Sequence, residues 1–488
     1  MTLWLLLILG LITYIILQRS VANITRTPVW LLWLVMMTPA VVLIIWAEMT
    51  PDDGAVPAWG AITLMTGCFI LYLWLLYQGR PSASHEEPPP TATPPDVASP
   101  LSTLKQQLRP IAPAEENQLR NCFNWSVYAL HQLEYRPQAV ICRGQLRTNP
   151  DRAYQTIRKN IEQQFGDRFL VVLQEGENRK PLFVIAPNPQ KQTNARLEEP
   201  TEHPAIAFGL FLITLFTSTT VGVELAGIES DRWQADPSLL LQGLPYAISL
   251  LGVLGIRELG RYAIARRHDL ETSLPYFIPF PFFLGTLGAF LRLRSPIPNR
   301  KVLFDSSIIG PLLTFLVSFP LLLWGLSHSQ LVPATDSSGL LNFDELIPTF
   351  SLLLSLCSGL LLPGSLEPSQ AIALHPVAIA GYLGLILSTF TLMPIGRLDG
   401  GQMVHAMFGR RMAVAIGQIS RLLMLVLAVI HPELFLWAIP LFLIPLRDAP
   451  ALNDVSELDN RRDVLGLLSL FLLAFILLPV PRMLTQVL

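Results

Sequence analysis

Two short constellations in this chain have residue types and spacings that could do chemistry. The first is Arg257-Glu258-Leu259-Gly260-Arg261, set in an apolar run from about Leu244 to Ala265. Two basic residues four apart share one face of a helix, with the carboxylate of Glu258 beside the first of them. The spacing is that of H-E-x-x-H, in which two histidines hold a zinc ion and the glutamate is the general base. Here both histidine positions are arginine, which stays protonated and has no lone pair to donate. The second constellation is Thr391-Leu-Met-Pro394-Ile-Gly396-Arg-Leu-Asp399-Gly400-Gly401, an aspartate at the end of an apolar helix with two glycines behind it. That is a poor spanning sequence and a good site. Charges inside a membrane segment are costly and usually face a protein interior or a polar cavity. Arg257, Glu258, Arg261 and Asp399 are therefore the candidate functional residues. The plainer reading of the first motif is a helix end whose arginines snorkel to the membrane surface.

The elements that must position these residues are membrane helices. With 51% hydrophobic and 14% charged residues and a mean hydropathy of +0.46, the composition is that of a polytopic membrane protein with a modest soluble part. A net charge of −2 argues against a nucleic-acid binder, which would carry a basic face. The cysteines, Cys68, Cys122, Cys142 and Cys357, form no CxxC pair. Cys68 and Cys357 lie in apolar runs, and Cys122 and Cys142 can pair only if the fold brings them together.

The chain divides into a three-helix membrane segment (1–78), a proline-rich linker (79–100), a soluble domain (101–200) and a larger membrane domain (201–488). The expected fold class is an all-α polytopic membrane protein with a small α+β soluble domain inserted between two membrane blocks. The first run, from Thr2 to Leu17, lacks a basic leader and a small-residue cleavage site, and reads as a retained anchor. In the soluble domain, Gln138–Leu146 reads as a strand bent at Gly144, and Asn149-Pro150 as the cap and first residue of a helix. Tyr154, Ile157, Ile161 and Phe165 give that helix one apolar face. Phe169–Leu173 and Leu182–Ala186 read as strands joined by a turn at Glu175–Asn178. Further apolar runs follow from Ala205, Leu244, Ile308, Val377, Ala413, Leu434 and Val464. Ser351–Leu362 is short enough to be either re-entrant or spanning.

Arginines and lysine between Arg266 and Lys301, against the acidic loop from Glu224 to Asp236, place the motif end of its helix and the soluble domain on the cytoplasmic face of a plasma or thylakoid membrane. Leu274–Ala289 holds too many prolines for a helix and is strongly apolar. It fits a loop or strand edge packed beside the Arg257 helix, able to receive an extended peptide.

Together the two motifs resemble the site-2 protease family of intramembrane zinc metalloproteases (peptidase M50). The likeness is to the cyanobacterial and plastid subgroup typified by the ethylene-dependent gravitropism-deficient and yellow-green proteins. Matching stretches are Ser273-Leu-Pro-Tyr-Phe-Ile-Pro279, Gly285-Thr-Leu-Gly-Ala289, Asn299-Arg300, Phe304-Asp305, Gly310-Pro311, His375-Pro376 and Leu452-Asn-Asp454; Gly144-Gln-Leu-Arg147 resembles the subgroup's G-N-L-R. The resemblance implies that Arg257 and Arg261 stand at the histidine ligand positions, Glu258 at the base position and Asp399 at the third ligand position. Thr391 stands where the family usually has asparagine.

One aspartate and one glutamate do not make a catalytic zinc site, which needs three protein ligands and an open position. His268 and His405 do not occupy ligand positions by spacing. Two guanidinium groups facing two carboxylates give the same formal charge as zinc facing them, so a bidentate pair of Arg257 or Arg261 with Asp399 is expected to tie the two helices together. The resulting expectation is a catalytically inactive homologue with no cofactor, binding transmembrane or extended-peptide clients and membrane lipids. The alternative is an active protease with zinc in a non-standard site. A transporter is a third class, opposed by the lack of an internal repeat.

Overall fold

The computed structural model describes residues 30–35, 37–38, 71, 111 and 113–480, apart from 137–138, 177–179, 189–203, 229, 282–283, 336–337, 341, 368 and 431–433. Two compact units divide the chain, Met1–Val97 and Ala98–Leu488. In the first, residues 30–35 and 37–38 are helical. Apart from Leu71, which is also helical, the rest of the three opening runs and the proline-rich linker lie outside the described residues.

The second unit begins with a short helix α1 (Glu116–Asn121) and a four-stranded antiparallel sheet: β1 (Tyr128–Arg136), β2 (Ala139–Leu146), β3 (Phe169–Glu175) and β4 (Pro181–Pro187), in the order β1-β2-β4-β3. Helix α2 (Pro150–Phe165) connects β2 to β3. Asn149 caps it, its side chain accepting from Asp151 N at 2.9 Å, with Pro150 at the first position where a missing N–H costs nothing. Its apolar face lies on the sheet, with Ile157 and Ile161 fully buried among Val140, Val171, Leu173 and Phe183. Gly144 is required by close approach: a Cβ there would stand 2.2 Å from Ala129 O, next to the bulge between Leu130 and Gln132. Strand β1 and helix α1 are additions to the expected elements. Cys122 and Cys142 are both buried free thiols, Cys122 donating to Gln118 O.

The remainder is mostly helical: α3 (Pro204–Leu225), α4 (Ser230–Ala235), α5 (Leu244–Arg267), α6 (Arg300–Leu326), α7 (Leu352–Leu361), α8 (Pro376–Leu392), α9 (Asp399–Phe408), α10 (Arg410–Ile430), α11 (Phe435–Leu443) and α12 (Asn460–Leu477). Among the described residues, four segments are long and apolar enough to cross a membrane: Pro204–Leu225, Pro237–Arg267, Arg300–Leu326 and Arg410–Val429. They leave large apolar side chains exposed, such as Phe208 and Phe216 on α3 and Leu422, Leu423 and Val426 on α10, as lipid contact requires. The ten residues of α7 reach only about 15 Å, half a hydrocarbon core of about 30 Å, so α7 is too short to span.

Helix α6 is the hub. It lies against α8 through glycines that allow backbones to touch: a Cβ on Gly325 would stand 2.3 Å from Ala378 N, and one on Gly381 2.6 Å from Leu322 N. The proline-rich stretch after α5 forms a hairpin, β5 (Tyr276–Pro279) with β6 (Thr286–Phe290). Gly285, at φ 78°, makes its turn against α3, where its carbonyl accepts from Thr217 Oγ1 at 2.7 Å; Tyr246 of α5 donates to Leu284 O at 3.1 Å. The expected strand edge beside α5 is therefore present.

Candidate functional site

Helix α5 carries the first motif and α9 the second. On α5, Gly260 faces α6 where a Cβ would stand 2.1 Å from Leu313 Cδ1, so the small residue inside the motif sets how closely the two helices approach. Gly310 of α6 clears the space occupied by the arginine stems; a Cβ there would meet Arg261 Cδ at 3.3 Å. At α9, the two glycines behind Asp399 fold the helix start back on the end of α8. A Cβ on Gly400 would stand 1.9 Å from Leu392 O, and one on Gly401 2.4 Å from Gly396 O. Thr391 turns inward on its own helix, donating to Leu387 O at 3.0 Å.

These constraints bring Arg257, Glu258 and Asp399 together in the interior, at 7%, 0% and 7% exposure. Arg257 Nη2 donates to Asp399 Oδ2 at 3.0 Å, and its Nη1 donates to Glu258 Oε1 in a short contact. The expected pair between α5 and α9 thus forms, but it is not bidentate: one guanidinium is divided between two carboxylates. Arg261 stands farther off, its Nη1 3.8 Å from Glu258 Oε1 and its side chain 23% exposed. Arg257 Nε and Glu258 Oε2 are buried without a hydrogen-bond partner among the described residues. The arginines therefore divide the two plain readings: Arg257 is turned inward, Arg261 partly outward.

A second polar cluster joins this site to the sheet domain. His405, on α9, is fully buried between two carboxylates, with Nδ1 2.6 Å from Asp448 Oδ2 and Nε2 2.9 Å from Asp454 Oδ1. Burial alone would lower the imidazolium pKa; the hydrogen-bonded carboxylates of Asp448 and Asp454 push it up to about 9. Arg300, at the start of α6, donates from Nε to Asp454 Oδ1 at 3.1 Å. Asn453 Nδ2 donates to Asp151 of α2 at 2.9 Å. On either side of this side-chain link, the backbones of Leu452 and Asp454 bond to Leu173 of β3, at 2.7 and 2.8 Å. His268 faces Asp305 Oδ2 at 3.5 Å, and Arg462 holds both oxygens of Asp305 at 2.8 Å. Neither His268 nor His405 joins Asp399. The matching stretches had pointed at Asn299-Arg300, Asp305 and Asn453-Asp454 without a role. Their role here is to cap α6, with Asn299 Oδ1 accepting from Val302 N at 2.9 Å, and to tie it to its neighbours.

Comparison with known proteins follows the same division. The profile of "Peptidase family M50" matches residues 245–431, and that of "EGY3 middle domain" matches residues 117–193, the sheet domain. The chain is 29% identical over 366 residues to "Probable zinc metalloprotease EGY2, chloroplastic" of Arabidopsis thaliana, covering 74% of this chain and 63% of the relative. It is 28% identical over 372 residues to "Probable zinc metalloprotease EGY1, chloroplastic" of the same plant, covering 70% and 66%. It is 24% identical over 369 residues to "Probable zinc metalloprotease EGY3, chloroplastic" of Oryza sativa subsp. japonica, covering 72% and 62%. The chain thus spans just under two thirds of the length of these curated relatives. No solved structure matches.

These names correct the expectation of no cofactor: the relatives are called zinc metalloproteases, so zinc is the cofactor that goes with the family. The donor set at the two motifs of this chain does not fit that ion. A catalytic zinc site takes three protein ligands and an open position. Here two carboxylates share one guanidinium, and the other motif position is a second arginine without a lone pair to give. The helices that carry these residues, the hairpin beside them and the sheet domain before them nevertheless occur in the order of the two matching profiles. Residues 245–431 are thus similar to peptidase family M50, behind a sheet domain similar to the EGY3 middle domain.

Proposed function

We propose that this membrane protein holds segments of other membrane proteins at a site-2 protease-like face without cleaving them. The observation that carries this reading is the guanidinium of Arg257 lying between Glu258 and Asp399. The guanidinium occupies both carboxylates, and it cannot activate a water as a Lewis acid does. Holding a client needs only the surrounding frame. The β5–β6 hairpin offers an extended edge with Ile278 and Leu287 exposed, suited to an added strand or to the unwound end of a membrane helix. The basic residues between Arg266 and Lys301 support placing the motif end and the sheet domain on the cytoplasmic side of the membrane or its organellar equivalent.

The test is cleavage and capture by the full chain in proteoliposomes with single-span substrates. The expected result is no cleavage product, with crosslinks from photoreactive residues at Ile278 or Leu287 to the intact substrate. Cleavage that a chelator abolishes would sink this reading. It would favour the second one, an active zinc metalloprotease with a non-standard site, which the names of the relatives support.

A further inference from the structure

Where α10 begins, a cavity of about 350 Å³ opens between the sheet domain and the membrane helices. Four arginines line it, Arg300, Arg410, Arg411 and Arg447, against two carboxylates, Glu175 and Asp454. Positive charge is therefore in excess on its wall. Arg300 is only 6% exposed, and its Nε alone is committed, to Asp454. Its two Nη groups have no protein acceptor among the described residues. Gly409, at φ 82°, keeps the turn between α9 and α10 clear of them; a Cβ there would stand 3.0 Å from Arg300 Nη2. Arg410 and Arg411 donate only to backbone carbonyls, Asp448 O and Gly176 O, and Arg447 has no ion pair or hydrogen bond among the described residues.

We propose that this cavity binds a phosphate-type oxyanion, carried by an anionic lipid headgroup or present as the free ion. Guanidinium forks match phosphate oxygens in geometry as well as charge. The positive end of the α10 dipole adds to their field. Helix α10 is also one of the four candidate spans, so its first turn lies at the level where lipid headgroups stand. An anion there would lie between Gln174 at the end of β3 and the arginines at the starts of α6 and α10, at the joint of the two domains. The inference is independent of how the Arg257 face is used.

The experiment uses the full chain in detergent and two probes at constant ionic strength. One is inorganic phosphate against chloride; the other is short-chain phosphatidylglycerol against phosphatidylcholine. The variants are Arg447→Gln alone and Arg411→Gln with Arg447→Gln, both at exposed side chains outside the motif site. The expected result is saturable binding with a raised unfolding temperature, weakened about fivefold in the single variant and at least tenfold in the double. Binding of phosphate itself assigns the free anion, and binding of phosphatidylglycerol alone assigns the headgroup. The proposal is overturned if neither probe differs from its control, or if the double variant, folded as judged by its melting in chloride, binds as the parent does.

Discussion

Arg257 presents its two Nη groups to two different carboxylates, one beside it on α5 and one brought from α9. Its energetic weight comes from burial, since removing one partner of a buried pair leaves a charge with no water to receive it. Asp399→Ala is expected to destabilise the protein by about 3–5 kcal/mol, read as a lowered unfolding temperature in detergent. Arg257→Met with Glu258→Gln and Asp399→Leu removes the whole charged cluster together and should recover most of that loss. An unchanged melting temperature for Asp399→Ala would mean that the contact carries no weight. Arg261→Ala, at a more exposed and longer contact, should cost less than about 1 kcal/mol. The sequence made these residues conspicuous because they are charges in an apolar run. It did not reveal how the guanidinium divides, which depends on where the Gly400-Gly401 turn sets Asp399.

At the scale of elements, small residues decide how close the helices come. Gly325 of α6 meets the backbone of Ala378, not a side chain that could swing away. Gly325→Val should therefore push α6 and α8 apart and cost at least about 1–3 kcal/mol by overpacking. Gly252 of α5, which has nothing within 4 Å of an added Cβ, is the control: Gly252→Ala should be neutral or slightly stabilising in the same melting assay. Most of these elements were legible beforehand. The capped helix α2 announced itself through Asn149-Pro150 and its apolar face, and the hairpin through prolines in an apolar stretch. Strand β1 was not legible, because Tyr128–Arg136 is half-buried and broken by a bulge, so its apolar residues do not alternate cleanly. The length of α7 was also hidden, since its apolar run continues past the helix into Leu362.

At the scale of the whole second unit, His405 and its carboxylates join the membrane helices to the sheet domain. No spacing could have shown this, because Arg300, His405 and Asp454 are far apart in the chain and meet only in the fold. His405 lies on α9, which is not among the candidate spans, and its pKa of about 9 in the folded protein exceeds its ordinary value near 6.5. The stability it contributes is then fully present below about pH 6.5 and lost as the pH rises through about 9. Melting temperature should fall between pH 7 and pH 10, and His405→Gln should flatten that fall while lowering the value at pH 7. An equal slope in the variant would assign the pH dependence to other groups.

The backbone link from Leu452 and Asp454 to Leu173 has a consequence for biosynthesis. Strand β3 is an edge strand of its sheet, and in the finished protein these late residues pair with its outer edge at Leu173. During translation the sheet domain is complete while its covering segment is still unmade, so a nascent or truncated chain presents a bare strand to any neighbour. A fragment of residues 101–200 should therefore self-associate through β3, and charged substitutions on that edge should keep it monomeric. Quality control of this protein would then begin at an edge that only its own C-terminal region can close.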